Sequence, residues 1–275
     1  MVFVYSTWSN FCRELQLLDI HSVPARDVTS ALDHYLVLKH DVETNVRSAY
    51  TMAMIEAKYG HRGSYYVQAY LLEKAENVEL LKKMQQMGHE ISYHYDVMDS
   101  CRGDLRKAIA EFEKNRDLFE KNGFHIVTVC QHGNPVVERT GYHSNRDFFR
   151  SKDVRLLYPG ISDIMVNYKE NVPTDYLYFS DAGRRFQLIY DPINNDIVNS
   201  DHRNVGYDGL DEIKEHICRE SCIVSIHPHR WTALAIQNQM RTGFFKIIKS
   251  AAKLLIKIPF FKKIMSRYYH LAKKI

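Results

Sequence analysis

The chain has 275 residues, 45% of them hydrophobic and 25% charged, a balance that supplies a full apolar core and excludes a disordered or fibrous chain. Its net charge of +4 is unevenly held. Residues 241–275 carry ten Lys/Arg and no Asp or Glu, which leaves 27 basic against 33 acidic groups, net −6, in residues 1–240; an acidic body argues against nucleic acid as a partner.

In chain order, short β-branched or aromatic runs alternate with longer stretches of helical period. The pattern predicts strands at 35–38, 64–67, 90–93, 126–129, 176–179 and 223–226, and helices at 44–59, 75–87, 103–122 and 207–219. Gly60, Gly88 and Gly123 fall at the ends of the first three helices, where a left-handed residue closes the last turn. No repeat or proline-rich linker interrupts the series. One α/β domain over residues 1–240 is expected, with parallel strands in a wound sheet or barrel.

The five cysteines, Cys12, Cys101, Cys130, Cys218 and Cys222, are an odd and scattered set without a CxxC pair. Reduced thiols in a cytoplasmic protein are expected. The opening residues MVFVYSTWSNFCRELQ lack a basic stretch ahead of their short apolar run, so a signal peptide is not expected, and no apolar run is long enough for a spanning helix.

Polar residues gather where the predicted strands end. His40, Asp41 and Glu43 follow the first strand, His94 and Asp96 the third, His132 and Asn134 the fourth, Asp181 the fifth, and His227 and His229 the last. In parallel α/β folds sites form at the carboxyl ends of strands, where distant loops converge. Two imidazoles and a carboxylate suffice to hold a catalytic divalent ion with one position open. A further carboxylate and imidazole can then take and return protons. Residue types alone therefore point to a metal hydrolase. Taken singly, Asp41 also suits a helix cap before Thr44, and His40 alternates with it and points to the opposite face. His61, His89, His125, His143 and His216 read as surface histidines.

The segments LKHDVE (38–43), GHEISYHYDV (88–97), CQHGNP (130–135), YFSDAGR (178–184) and IVSIHPHRW (223–231) together resemble the polysaccharide deacetylase superfamily, in a divergent branch with an HDVD-type first motif. The resemblance implies a distorted (β/α) barrel that removes an N- or O-acetyl group from a sugar with one divalent ion, zinc first, then iron, manganese or cobalt. It makes Asp41 the general base and Glu43, in place of the family's second aspartate, the carboxylate ligand. His94 matches the first metal histidine. Met98 stands where the second usually does, and a thioether is a poor ligand for such an ion; His132 is expected to replace it. The family's arginine partner for Asp41 is absent. His227 becomes the general acid, with His229 as its substitute. Asp181 orients His227 or contacts substrate, and Asn134 and His229 are further substrate contacts.

The implied substrate is a carbohydrate or glycoconjugate precursor. Two alternatives stay open: a decayed member that binds sugar without hydrolysis, in keeping with Met98 and the missing arginine, and an amidohydrolase acting on a non-sugar C–N bond.

In the basic segment Lys246, Lys249, Lys253 and Lys257 recur three or four apart, with Phe244, Ile247, Ile248, Ala251, Leu254, Leu255 and Ile258 between them, an amphipathic helical pattern that Pro259 ends. Residues 241–275 are thus expected to be a helical tail that lies on an anionic inner-membrane face, docks on the body, or binds a partner. Deleting 241–275 is expected to abolish co-sedimentation with anionic vesicles and leave divalent-ion binding intact, because no candidate site residue lies beyond His229. An intact chain that ignores such vesicles refutes the membrane reading. A lowered melting temperature after the deletion shows instead that the tail covers the body.

Overall fold

The computed structural model describes residues 3–134, 137–170, 172, 175–193 and 204–243. Its helices are α1 (Tyr5–Leu17), α2 (Val46–Lys58), α3 (Ala75–Gln86), α4 (Val97–Ser100), α5 (Leu105–Lys121), α6 (Asp147–Arg150), α7 (Lys152–Leu157) and α8 (Leu210–Ile217). Its strands are β1 (Leu36–Val42), β2 (Ser64–Val67), β3 (Glu90–Tyr95), β4 (Thr128–Gln131), β5 (Ser162–Asp163), β6 (Leu177–Ser180), β7 (Phe186–Leu188), β8 (Val205–Tyr207) and β9 (Cys222–Ile226).

All nine strands join one sheet in the order β5-β4-β3-β2-β1-β9-β6-β7-β8. Pairing is parallel from β5 through to β6, and β7 and β8 add an antiparallel end. The expected α/β class with parallel strands holds. No pairing joins β5 to β8 among the described residues, so the sheet is open where a closed barrel would seal its edges.

The six predicted strands and four predicted helices are all present. Gly60, Gly88 and Gly123 take φ of +77°, +93° and +84°, the left-handed conformation that their places after α2, α3 and α5 require. The strands run further than their apolar runs: β1 continues through His40, Asp41 and Val42, and β3 through His94. The sequence pattern did not announce α1, whose buried Trp8, Phe11, Cys12 and Leu15 follow helical spacing. Nor did it announce the short β5, β7 and β8. A helix over residues 235–243 crosses the expected boundary at 240, and the rest of the basic tail lies outside the described residues. No helix among the described residues is long and apolar enough to cross a membrane.

Strand alternation gives the sheet two unlike faces. On the outer face Tyr65, Val67, Ile91, Tyr93 and Val129 pack against apolar residues of α2, α3 and α5. Leu36, Leu38, Val224 and Ile226 pack against α1 and α8. The inner face is mixed. Val37, Tyr66, Cys130 and Ile223 meet Ala25, Val28, Ile164 and Met165, while Lys39, Asp41, Ser92, His94 and Ser225 are buried beside them.

One charged group lies inside the outer core. The Glu56 carboxylate accepts from Trp8 Nε1 at 3.0 Å and Tyr65 Oη at 2.7 Å, and His40 Nε2 sits 2.8 Å away. Burial works to raise its pKa, but the His40 ring and its hydrogen bond outweigh that and hold it below the usual value for a glutamate. His40 does face away from Asp41, as its alternation predicts.

His61 and His89 correct the surface expectation, for both are fully buried. His61 Nδ1 accepts from the Ser22 N–H and Nε2 donates to the Cys12 carbonyl at 2.8 Å. His89 Nδ1 accepts from Gly63 N–H at 2.9 Å and Nε2 donates to the Ala53 carbonyl at 3.0 Å. One accepting and one donating nitrogen describes a neutral ring, and burial lowers both pKa values accordingly. Each ring bridges the backbone of a helix to that of a separate segment, His61 from α1 to Ser22 and His89 from α2 to Gly63. Among the remaining three, His125 and His143 are exposed and His216 is half-buried.

Glu56→Ala is expected to lower unfolding stability by about 3–5 kcal/mol, the usual loss when one member of a buried ionic set is removed. Glu56→Gln should lose less, since it keeps the shape and one acceptor. Urea titration of both variants measures the difference, and equal stability of Glu56→Ala and wild type would contradict it.

Candidate metal centre and active site

The inner-face polar residues converge at the carboxyl ends of β1, β3, β4 and β9. Parallel register sets this convergence: His94 pairs with Cys130 across β3 and β4, and His40 with Ile226 across β1 and β9. Asp41, Glu43, His132 and His227 therefore leave neighbouring strand ends on the same side.

His94 is almost fully buried, and its Nδ1 faces the Cys130 carbonyl at 3.0 Å. A carbonyl only accepts, so Nδ1 carries the proton and Nε2 presents a lone pair. Burial pushes the His94 pKa down to about 3, with His132 and Lys39 acting in the same direction against Asp41 and Glu43. The ring is neutral at pH 7, the state a metal ligand needs.

His132 Nδ1 stands 3.1 Å from His94 Nε2 and 3.5 Å from Glu43 Oε1. Ligand atoms of Glu43, His94 and His132 all lie within 4.8 Å of one another. Zinc bonds of about 2.0–2.1 Å place neighbouring tetrahedral ligands roughly 3.3 Å apart, and the separations of 3.1 and 3.5 Å bracket that value. Two ring nitrogens aimed at each other need a proton or a shared cation between them. The donor set, two imidazoles and a carboxylate, fits a divalent ion.

Glu43 accommodates its extra methylene by projecting beyond the strand end, its side chain 26% exposed. Burial would raise its pKa, but the His132, His227 and His229 rings and Arg230 hold it well below the usual carboxylate range.

A second group, Asp41, His94 and Cys130, also meets the distance condition. It suits an ion less well. Burial pushes the Cys130 thiol pKa far up, which keeps it protonated, and both Asp41 oxygens are already engaged.

Their partner is Lys39, which the motif reading passed over. Its Nζ donates to Asp41 Oδ1 at 2.6 Å and Oδ2 at 2.7 Å, and to Ser225 Oγ at 3.1 Å. Asp41 thus has an orienting cation in Lys39, where the resemblance had implied an arginine that the sequence lacks. The signal was present in the alternation Lys39-His40-Asp41, which puts ammonium and carboxylate on one face. Burial acts to raise the Asp41 pKa, but Lys39, His94 and His227 outweigh it and keep the carboxylate ionised.

No protein-family model matches this chain, and no curated protein matches it.

His227 follows β9, and its Nδ1 donates to Asp181 Oδ1 at 2.5 Å while its own N–H reaches Oδ2 at 3.1 Å. Arg230 Nη1 adds a bond to Asp181 Oδ1 at 3.0 Å. Asp181 is fully buried behind the ring, the place of an orienting group rather than of one that meets substrate. The other nitrogen, Nε2, points back to the cluster, 3.8 Å from Asp41 Oδ2 and 3.7 Å from Glu43 Oε1.

The remaining two expected residues lie nearby. His229 Nε2 is 4.0 Å from Glu43 Oε2, and its Nδ1 has no partner among the described residues. Asn134 is buried two residues after His132, with both amide side-chain atoms unpartnered among the described residues. Met98 is buried in the apolar core on the outer face, away from the ligand set.

Titration of metal-free protein with zinc or cobalt is expected to give one ion per chain, and His94→Ala should lose it. Full occupancy in His94→Ala removes that residue from the ligand set, and elemental analysis decides the matter.

Proposed function

We propose that this chain is a metal-dependent hydrolase of the polysaccharide deacetylase type, which removes an acyl group from an amide or ester on a carbohydrate or glycoconjugate precursor. The observation that carries the reading is the convergence of three ligand-type side chains, Glu43, His94 and His132, with the Asp181–His227 pair and the Lys39-held Asp41. In this reading the nine-stranded sheet is an opened form of the family's distorted barrel, with its site at the strand carboxyl ends.

A divalent ion held by Glu43, His94 and His132 supplies Lewis acidity, polarising the substrate carbonyl and easing loss of a proton from water. Asp41 takes that proton on a carboxylate oxygen, since each oxygen keeps a lone pair beyond its bond to Lys39. As the new C–O bond forms and the C–N or C–O bond breaks, His227 Nε2 gives a proton to the departing atom. Asp181 fixes the ring's tautomer and orientation for this donation. Asn134 and His229, with unpartnered polar atoms, are the groups available to hydrogen-bond the substrate.

One observation favours a second proton route. Lys39 lowers the proton affinity of Asp41, whereas His227 has its Nδ1 held by the Asp181 carboxylate and its Nε2 turned to the cluster. A single His227 that first takes and then returns the proton fits the same geometry.

Acetate release from N- and O-acetylated sugars by zinc-loaded protein tests the activity. Asp41→Asn and His227→Ala are each expected to lower turnover by roughly two to four orders of magnitude with the ion retained. Loss confined to His227→Ala selects the single-histidine route. Tight sugar binding without release in the wild type supports the decayed alternative, and release only from non-sugar amides supports the amidohydrolase one.

A further inference from the structure

His132 is a ligand-type residue in an awkward place. β4 ends at Gln131, so His132 begins the loop that leads to α6 rather than sitting on a strand. A ligand on a loop must be held in position by other groups, or binding the ion must bear the ordering entropy of the loop.

One carboxylate gathers much of this loop. Asp99, in α4 and only 2% exposed, accepts from Arg139 Nε at 2.8 Å and Nη2 at 3.0 Å, from Tyr142 Oη at 3.1 Å, and from Asn145 Nδ2 at 2.8 Å. All four donors belong to residues 139–145. The Asp99 N–H completes the set by donating to Asn145 Oδ1 at 2.9 Å.

Two of these partners pass the constraint on to the ligand segment. Asn145 Nδ2 also donates to the His132 carbonyl at 2.8 Å, and Arg139 Nη2 to the Asn134 carbonyl at 2.8 Å. From the other side, the His132 N–H donates to the Tyr95 carbonyl at 2.7 Å. The backbone of His132 is thus fixed at both its N–H and its C=O, one end by β3 and the other by Asn145. The paired Arg139 charge makes a buried carboxylate tolerable here.

We propose that Asp99 is the positioning residue that presents His132 to the metal centre, a role that rests on Glu43, His94 and His132 forming that centre. It stands directly after Met98. The chain that offers no ligand at Met98 supplies at the next residue the anchor for a ligand 33 positions further on.

The test is a double-mutant cycle read as zinc affinity, by competition with a chromophoric chelator, on the full chain. Asp99→Ala is expected to weaken zinc binding by roughly 10- to 100-fold, the usual effect of removing a group that orients a ligand. In a His132→Ala background the same change should have no further effect, because Asp99 acts through His132. Equal affinity of Asp99→Ala and wild type, or an undiminished Asp99 effect without His132, overturns the proposal. Where Asp99→Ala fails to fold, Asn145→Ala removes the bond to the His132 carbonyl and enters the same cycle with the same expected outcomes. A wild-type chain that binds no zinc overturns the metal-centre reading and this role with it; a wild-type chain that binds, beside an Asp99→Ala chain that binds equally well, overturns this role alone.

Discussion

The middle strand of the sheet buries an ammonium and a carboxylate two residues apart, and each exists there only because of the other. Lys39 is 1% exposed and Asp41 7% exposed. Either charge alone on the inner face would be neutralised or would drive the strand apart, since an isolated ion in a protein interior is far costlier than a paired one. Pairing keeps both ionised. It also fixes the carboxylate plane, with Ser225 of the neighbouring strand taking a third Lys39 bond. The register of β1 against β9 is thereby tied to the chemistry of the site.

Around that pair carboxylates and imidazoles alternate. The Asp41 and Glu43 carboxylates face the His94, His132 and His227 rings, and the rings are backed by acceptors of their own: the Cys130 carbonyl behind His94 and Asp181 behind His227. The His94 and His227 rings therefore each have one nitrogen committed to the protein and the other turned to the cluster. A divided imidazole of this kind is how a protein chooses a tautomer without titrating it. The two faces of the sheet differ in the purpose of their charges. On the outer face Glu56 is enclosed by Trp8, Tyr65 and His40 and holds the packing together; on the inner face the oxygens and nitrogens converge on a common space.

Much of this was legible in the sequence, and the rest was hidden for physical reasons. Apolar runs located the six longer strands because their outer faces pack on helices. Those runs ended too early in β1 and β3, because the inner face of the same strands is polar and breaks the apolar signal at Lys39 and His94. Strands β5, β7 and β8 have three residues or fewer, too few for a period to show. Helix α1 has a regular buried stripe, but its Ser and Asn content dilutes the helical signal. The candidate ligands Glu43, His94 and His132 could be named from the motifs that carry the family resemblance, and they do come within reach of one another. Lys39 and Asp99 could not, because their importance lies in what they touch. His61 and His89 looked like surface residues because their partners are backbone groups, which leave no mark on composition.

The two ends of the described chain meet beside the segment that carries His227. The Phe3 N–H donates to Asn238 Oδ1 at 3.1 Å, and Asn238 Nδ2 returns a bond to the Phe3 carbonyl at 2.8 Å and another to the Arg230 carbonyl at 2.8 Å. Arg230 in turn grips Asp181, which holds His227. Whatever precedes Phe3 and whatever follows residue 243 is thus attached within a few bonds of the same structural knot. Cargo fused at either end, or a load applied there, pulls on the frame that holds the imidazole.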